Sequence, residues 1–190
     1  MYKIISELTG CQVDINQPII TERVMIRLAK IDDSEAIYFY RSDVIENRYQ
    51  GWLPESVDEV RDYIKTMPTT LDVSDVCLQF VIVEKTNNII IGDMGISFTN
   101  HNNMQAEIGC TLNKEFQRNG YATEAMRAMV ELLFMKLNKH RVIASVDPRN
   151  TASIQLIERL GFRKEAHFKE SYFLRGEWVD DVIYAKLRGE

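Results

Sequence analysis

Gln117-Arg118-Asn119-Gly120-Tyr121-Ala122-Thr123 is the stretch whose reading decides the fold. It leads into residues 121–138, where Ala122, Met126, Met129, Val130, Leu133 and Leu137 share one helical stripe and Glu124, Arg127 and Glu131 fall opposite. Just before it, Ala106-Glu107-Ile108-Gly109-Cys110-Thr111-Leu112 reads as a strand. A helix start exposes unpaired N–H groups and the positive end of the helix dipole, so this strand-to-helix turn can hold an anion. Gly120 and the small Ala122 leave the main chain open to such a ligand, and a pyrophosphate fits. A glycine at a turn is explained equally well by structure alone. The loop matches neither the G-x-x-x-x-G-K-[ST] nor the G-x-G-x-x-G pattern, which disfavours nucleoside triphosphates and NAD.

Working backwards from that loop, LQFVIVE (78–84), IIIGDMGISF (89–98) and AEIGCTL (106–112) are apolar segments separated by Asn-containing turns, which predicts an antiparallel meander. Gly92, Gly95 and Gly109 within it point to a bulge or a close backbone approach. Val24, Ile26 and Leu28 alternate with Arg23, Met25 and Arg27, the pattern of a half-buried strand. Asp32 with Glu35, and Ser56 with Glu59, have capping-box spacing and predict two helices, the second stopped by Pro68. Between them, ENRYQGWLP is either a substrate-lining segment or an irregular connection packed by Trp52. Beyond the long helix come a strand, RVIASV (141–146), and a helix capped by Asn150 and stopped by Gly161. Two tail strands follow, FRKEAHF and WVDDVIYAKL. The order predicts a single mixed α/β domain over residues 21–190, preceded by an extension of uncertain structure over residues 1–20.

Composition bounds the function. The 190 residues are 45% hydrophobic and carry 28 acidic against 23 basic side chains, a formal charge of -5. This argues against a broad grip on nucleic acid or an anionic membrane and favours a cationic small substrate. Cys11, Cys77 and Cys110 form no C-x-x-C pair, and His101, His140 and His167 have no metal-ligand spacing, so no metal site is expected. The start MYKIISELTG lacks the apolar core of a secretory signal, and nothing approaches the ~18 apolar residues of a membrane span, so a cytoplasmic protein is expected.

Three linked motifs carry a resemblance: Ala106-Glu107-Ile108-Gly109, then Gln117 to Ala125, then HRVIASVDPRNTASIQLIERLGF (140–162). Together they resemble the GCN5-related N-acetyltransferase (GNAT) superfamily, in particular its RimJ/RimL-type branch that acetylates ribosomal-protein N-termini. The family's phosphate loop, Q/R-x-x-G-x-G/A, is met by Gln117, Gly120 and Ala122, and its D-P-x-N-x-x-S pattern by Asp147, Pro148, Asn150 and Ser153. A weaker match runs from Arg23 to Leu187; the first twenty residues are not covered. The resemblance implies a mostly antiparallel central sheet flanked by helices, and acetyl-CoA-dependent transfer to an amine by direct attack in a ternary complex. It implies that main-chain N–H groups of Arg118, Asn119, Gly120, Tyr121, Ala122 and Thr123 hold the pyrophosphate, with a bond from the Thr123 hydroxyl. The pantetheine arm would run beside Gly109, Cys110, Thr111 and Leu112, with Asn150 and Ser153 near the sulfur; a helix cap and a first-turn polar residue explain that last pair equally. The acceptor is a protein N-terminus or a small amine, and a homodimer is compatible with the family.

The chemistry sets three requirements: an alkyl ammonium with pKa near ~10 must lose a proton, the thioester oxygen needs a donor, and the thiolate must be protonated. Glu107 is the expected base, being where several members of the superfamily carry a glutamate, although strand alternation also allows a solvated glutamate there. A backbone N–H near Cys110 or Leu112 would polarise the carbonyl. Tyr172 and Ser153 are the candidate acids, with Glu170 as a lesser acid/base candidate. Cys110 has no adjoining histidine, which disfavours an acyl-cysteine route. Arg141, Arg149, Arg159 and Arg163 are either partners for the adenosine 3′-phosphate or solvated charges. From a different class, the competing expectation is an acetyl-CoA-binding module without turnover.

Overall fold

The computed structural model describes residues 14, 16–68, 70, 76–99 and 103–190; Cys11, His101 and most of the expected extension lie outside the described residues. Among these, the chain order is β1 (Ile19–Ile20), β2 (Val24–Leu28), α1 (Ser34–Arg41), α2 (Val57–Thr66), β3 (Val76–Glu84), β4 (Ile89–Thr99), β5 (Gln105–Leu112), α3 (Tyr121–Met135), β6 (Arg141–Val146), α4 (Thr151–Arg159), β7 (Arg163–Leu174) and β8 (Glu177–Leu187). The strands form one sheet in the order β1-β2-β3-β4-β5-β6-β8-β7, antiparallel throughout except for the parallel pair β5–β6. This is a single α/β domain with a mostly antiparallel sheet, as the resemblance implies, and the meander expected from the sequence is at its centre.

Side-chain alternation divides the core in two. Val24, Ile26, Leu78, Phe80, Ile82, Ala106, Ile108, Val142 and Ala144 meet α3 and α4 on one face. On the other, Val81 and Val83 meet Ile37 and Tyr40 of α1 and Val60 and Ile64 of α2. Strand β3 is apolar at almost every position because both its faces are covered. The expected irregularity in the meander is real: register shifts between Ile82 and Val83, and the neighbouring Gly92 leaves no room for a side chain, since a Cβ there would lie 2.4 Å from the Thr111 carbonyl oxygen.

Several local expectations are corrected. Asp32 and Glu35 form no capping box; instead Asp33 accepts the Lys30 N–H (2.7 Å) and the Arg27 guanidinium (2.7 and 2.8 Å), which starts the helix after a 3-10 turn. Ser56 does cap α2, accepting the Glu59 N–H at 3.1 Å, but the Glu59 carboxylate turns back to the Glu55 N–H and the Trp52 indole. Helix α3 ends at Met135, three residues early, where Asn138 enters the left-handed region at φ 54° and the Leu137 and Lys139 N–H groups fold back onto Leu132 and Leu133. The tail strands are longer than expected and meet at Arg175-Gly176, both at positive φ (47° and 92°), the backbone of a tight hairpin turn.

One buried charge fastens α1 to the sheet. Asp93 on β4 is fully buried and accepts from Arg41 (2.5 and 2.6 Å), Tyr40 (2.7 Å) and Gln79 (2.5 Å). Removing one partner strands the other charge in the core, so Arg41→Ala is expected to cost about 3–5 kcal/mol in urea denaturation. Arg61→Ala, which breaks the exposed pair with Asp58 on α2, is expected to cost at most about 1 kcal/mol.

Candidate active site

The parallel ladder between β5 and β6 is only three residues long. It pairs Gln105, Ala106 and Glu107 with Arg141, Val142 and Ile143 and then stops. Beyond Glu107, strand β5 stays paired to β4 as far as Leu112, and β6 stays paired to β8 as far as Val146. The two strands therefore diverge, leaving the β6-facing edge of Ile108–Leu112 without a strand partner. A cleft of about 490 Å³, its open mouth included, occupies the gap. Its walls are Ile108, Gly109 and Cys110 from β5, Ala144 to Asp147 from the end of β6, and Asn150, Ser153, Leu156 and Ile157 at α4. Met126 forms its floor, and Tyr49 and Gln50, from the connection between α1 and α2, close one side. Gly109 is exposed, and a Cβ there would meet nothing within 4 Å, so the glycine leaves a free channel beside the strand.

Near the wide end of the divergence, after a 3-10 turn (Lys114–Phe116), α3 begins at Gly120 with φ 84°. Glycine has no side chain with which to cap, and no side-chain cap bond is present. The amides of Tyr121, Ala122 and Thr123 are thus left without intrahelical partners at the positive end of a 15-residue helix. Arg118 also lies at positive φ (61°), and the turn is tied back by the Gln117 amide to the Leu112 carbonyl (3.0 Å) and by the Asn119 amide to the Gln117 carbonyl (3.0 Å). Gln117 and Asn119 thus spend their side chains on shaping the loop. The Thr123 hydroxyl receives Arg159 of α4 at 3.3 Å. Arg159 is the one of the four candidate arginines that reaches this loop: Arg149 is held by Asp147, Arg141 by Glu165, and Arg163 by Glu165 and Glu190.

Glu107 is the last residue before the strands part. Its neighbours Ala106 and Ile108 are buried beneath α3, so alternation turns Glu107 to the opposite face, where it is half-buried. Burial, and secondarily the nearby Asp181 carboxylate, raise its pKa above the ordinary glutamate value. Asp181 is anchored by the Ser145 hydroxyl at 2.7 Å. Cys110 lies in the cleft wall with its thiol pushed up to about 12, chiefly by burial and then by Asp93, the opposite of what a nucleophilic cysteine requires. Asn150 accepts the Ser153 N–H at 3.1 Å, and both residues line the cleft. Tyr172 does not line it: its hydroxyl stands over Gly51, 2.6 Å from where a Cβ would be. Glu170 lies in an irregular part of β7 at φ 46°, its N–H held by Asp180. Sequence reading missed Asp181, 74 positions from Glu107, and its anchor Ser145, which the strand order alone brings to this face.

Residues 23–163 match the family model described as the acetyltransferase (GNAT) domain. The chain belongs to the GNAT acetyltransferases, and it is an N-acetyltransferase. A Bacillus licheniformis relative named uncharacterized N-acetyltransferase p20 is 30% identical over 171 residues, 90% of this chain and 96% of that protein. The [ribosomal protein uS5]-alanine N-acetyltransferase of Escherichia coli is 26% identical over 174 residues, 87% of this chain and 88% of its own. A solved GNAT-family acetyltransferase from Bacillus anthracis superposes with a TM-score of 0.82 at 28% identity, covering 92% of this chain and all of that one. GNAT acetyltransferases use acetyl-CoA. The uncapped start of α3 suits its pyrophosphate, and the channel beside Gly109 suits its extended arm. Among the described residues no cluster of His, Cys, Asp or Glu could hold a metal, and no helix is long and apolar enough to cross a membrane.

The Glu107 environment gives a signed prediction. With Glu107 in the base role expected from the sequence, it must be ionised to act, so the acid limb of kcat/KM would follow its pKa. Asp181→Asn removes a negative charge that raises that pKa, and the acid limb is expected to move to lower pH in a pH–rate profile; an unmoved limb would separate Asp181 from the base. The same shift means that the folded state disfavours ionised Glu107, so stability falls as pH rises from the unfolded glutamate value through the raised one. Glu107→Gln is therefore expected to raise Tm at pH 7 while lowering turnover.

Proposed function

We propose that this N-acetyltransferase moves the acetyl group of acetyl-CoA by direct attack of a primary amine, and that the amine is the N-terminus of a protein chain. The observation that carries the reading is the divergence of β5 and β6, which has a carboxylate at its apex and an uncapped helix start near its open end. Acetyl-CoA supplies an activated acyl group on a thiol leaving group. The amides of Gly120 to Thr123 bind the pyrophosphate, and the free edge of Ile108–Leu112 orients the arm as an added strand would. Glu107 takes the proton from the incoming ammonium, for which its raised pKa makes it a stronger base than an exposed glutamate. An amide of Cys110 or Leu112 polarises the acetyl oxygen. Ser153, in the cleft wall, is better placed than Tyr172 to return a proton to the thiolate.

The choice of acceptor rests on the face that Glu107 shares. Helices α1 and α2 cover its β2–β4 half, whereas Ser145 is exposed and Phe168, level with Asp181 on the neighbouring strand, is 50% exposed. An open, partly aromatic surface of this kind suits a chain end with several residues to lay down more than a small molecule that needs enclosure. The Escherichia coli relative that is 26% identical is named for a protein acceptor, an alanine of ribosomal protein uS5.

Incubation with acetyl-CoA and a panel of peptide N-termini, spermidine, amino acids and aminoglycosides, followed by free-thiol detection, tests this. Release is expected with peptides first. Release with spermidine alone would reassign the acceptor, and tight CoA binding with no release for any amine would return the chain to a binding module. Gly120→Glu puts a bulky anion at the loop and is expected to weaken CoA binding at least about tenfold more than Gly120→Ala, which carries the backbone strain alone.

A further inference from the structure

Helix α3 carries an acid at the end of its first turn, Glu124, close beneath the amides that the proposed function assigns to pyrophosphate. An acid there favours the helix but opposes an anion at the same terminus. Glu124 is only 10% exposed, so solvent does little to screen it. Although burial works against ionisation, hydrogen bonds from Thr21 and Arg23, with the charge of Arg23, hold its carboxyl below the usual glutamate value. The charge is therefore present and must be met by a cation.

Arg23 meets it from the other end of the chain. Its Nε donates to Glu124 Oε2 at 2.7 Å, and its backbone N–H and the Thr21 hydroxyl donate to Oε1 at 2.8 and 2.6 Å. A second guanidinium nitrogen, Nη1, donates to the Asn119 carbonyl at 2.9 Å. The plane lies over the Tyr121 ring at 4.6 Å, and Nη2 would be 3.2 Å from a Cβ on Gly120. The Arg23 side chain remains 42% exposed. In a trans peptide C=O and N–H point in opposite directions, so pinning the Asn119 carbonyl towards Arg23 aims the Gly120 N–H away from it.

We propose that Arg23 is a positioning residue for acetyl-CoA: its fork neutralises Glu124 and at the same time fixes the Asn119–Gly120 peptide, which makes the start of α3 a competent anion site. The inference rests on the proposed assignment of this loop to pyrophosphate. Lysine cannot replace it fully, because a single ammonium does not offer a planar fork to two acceptors. The β1–β2 turn, Thr21–Arg23, thereby becomes part of the cofactor site although it lies about a hundred residues from the loop.

The test compares Arg23→Met, which keeps an unbranched apolar stem and removes the guanidinium, with Arg23→Lys and Arg23→Ala. Steady-state kinetics are run with the best amine of the panel, alongside CoA titration calorimetry and thermal melts. The expected result for Arg23→Met is a KM for acetyl-CoA and a Kd for CoA raised about tenfold, as for one charge-assisted hydrogen bond, with kcat and the amine KM within about twofold of wild type. Arg23→Lys should fall between the two. A folded Arg23→Met with wild-type CoA affinity overturns the proposal, as does a lowered Tm whose kinetic loss lies in kcat alone. If the wild-type protein itself fails to bind CoA, it is the assignment of the loop that fails, and with it this inference.

Discussion

The fifteen residues of helix α3 follow Gly120, which has no side chain to offer the first amides of the helix. Most helices spend a Ser, Thr, Asp or Asn at this point, and α2 and α4 do so with Ser56 and Asn150. Leaving α3 uncapped costs stability in the free protein and reserves a set of directed N–H groups for an external anion. The chain is acidic overall, so a polyanionic cosubstrate gains nothing from its net charge of -5. Binding has to come from local dipoles, and the rest of the architecture sets where those dipoles point.

The sheet provides the second half of that arrangement. Two parallel strands that stayed paired would leave no room for a ligand; here the ladder ends after Glu107, and the freed edge of β5 runs towards the α3 terminus. Asp93, buried with Arg41, Tyr40 and Gln79, keeps α1 seated on β4 beside this opening. The hairpin turn at Arg175 reaches across to the carbonyls of Asn47, Arg48 and Gln50, holding the connection that brings Tyr49 and Gln50 to the cleft. The side of the cleft is thus made by residues more than a hundred positions apart.

The central meander, the long helix and the glycine loop were legible because each is a local signal: alternation, a 3.6-residue stripe, and a small residue between strand and helix. The same locality explains the misses. Glu124 falls on the polar side of its helix stripe and reads as solvated, yet Arg23 and Thr21 cover it, a contact set by the β1–β2 turn. Asp32 and Glu35 have the spacing of a capping box, but Asp33 wins the role because Arg27 on the preceding strand holds its carboxylate. Tyr172 follows the break in the β7 register, and its hydroxyl stands over Gly51 rather than in the cleft wall, a placement no local signal gives. The face on which Glu107 lies followed only from seeing Ala106 and Ile108 under α3.

In the function proposed above, the unpaired amides at the start of α3 bind the pyrophosphate of acetyl-CoA. Backbone amide NMR measures those groups directly, by titrating 15N-labelled protein with CoA and, separately, with pantetheine, which has the arm but no pyrophosphate. CoA is expected to shift the amides of Gly120, Tyr121, Ala122 and Thr123 most strongly, and pantetheine to leave them near their free positions while moving residues 108–112. Equal shifts at Gly120–Thr123 with both ligands, or CoA shifts confined to another surface, would contradict it.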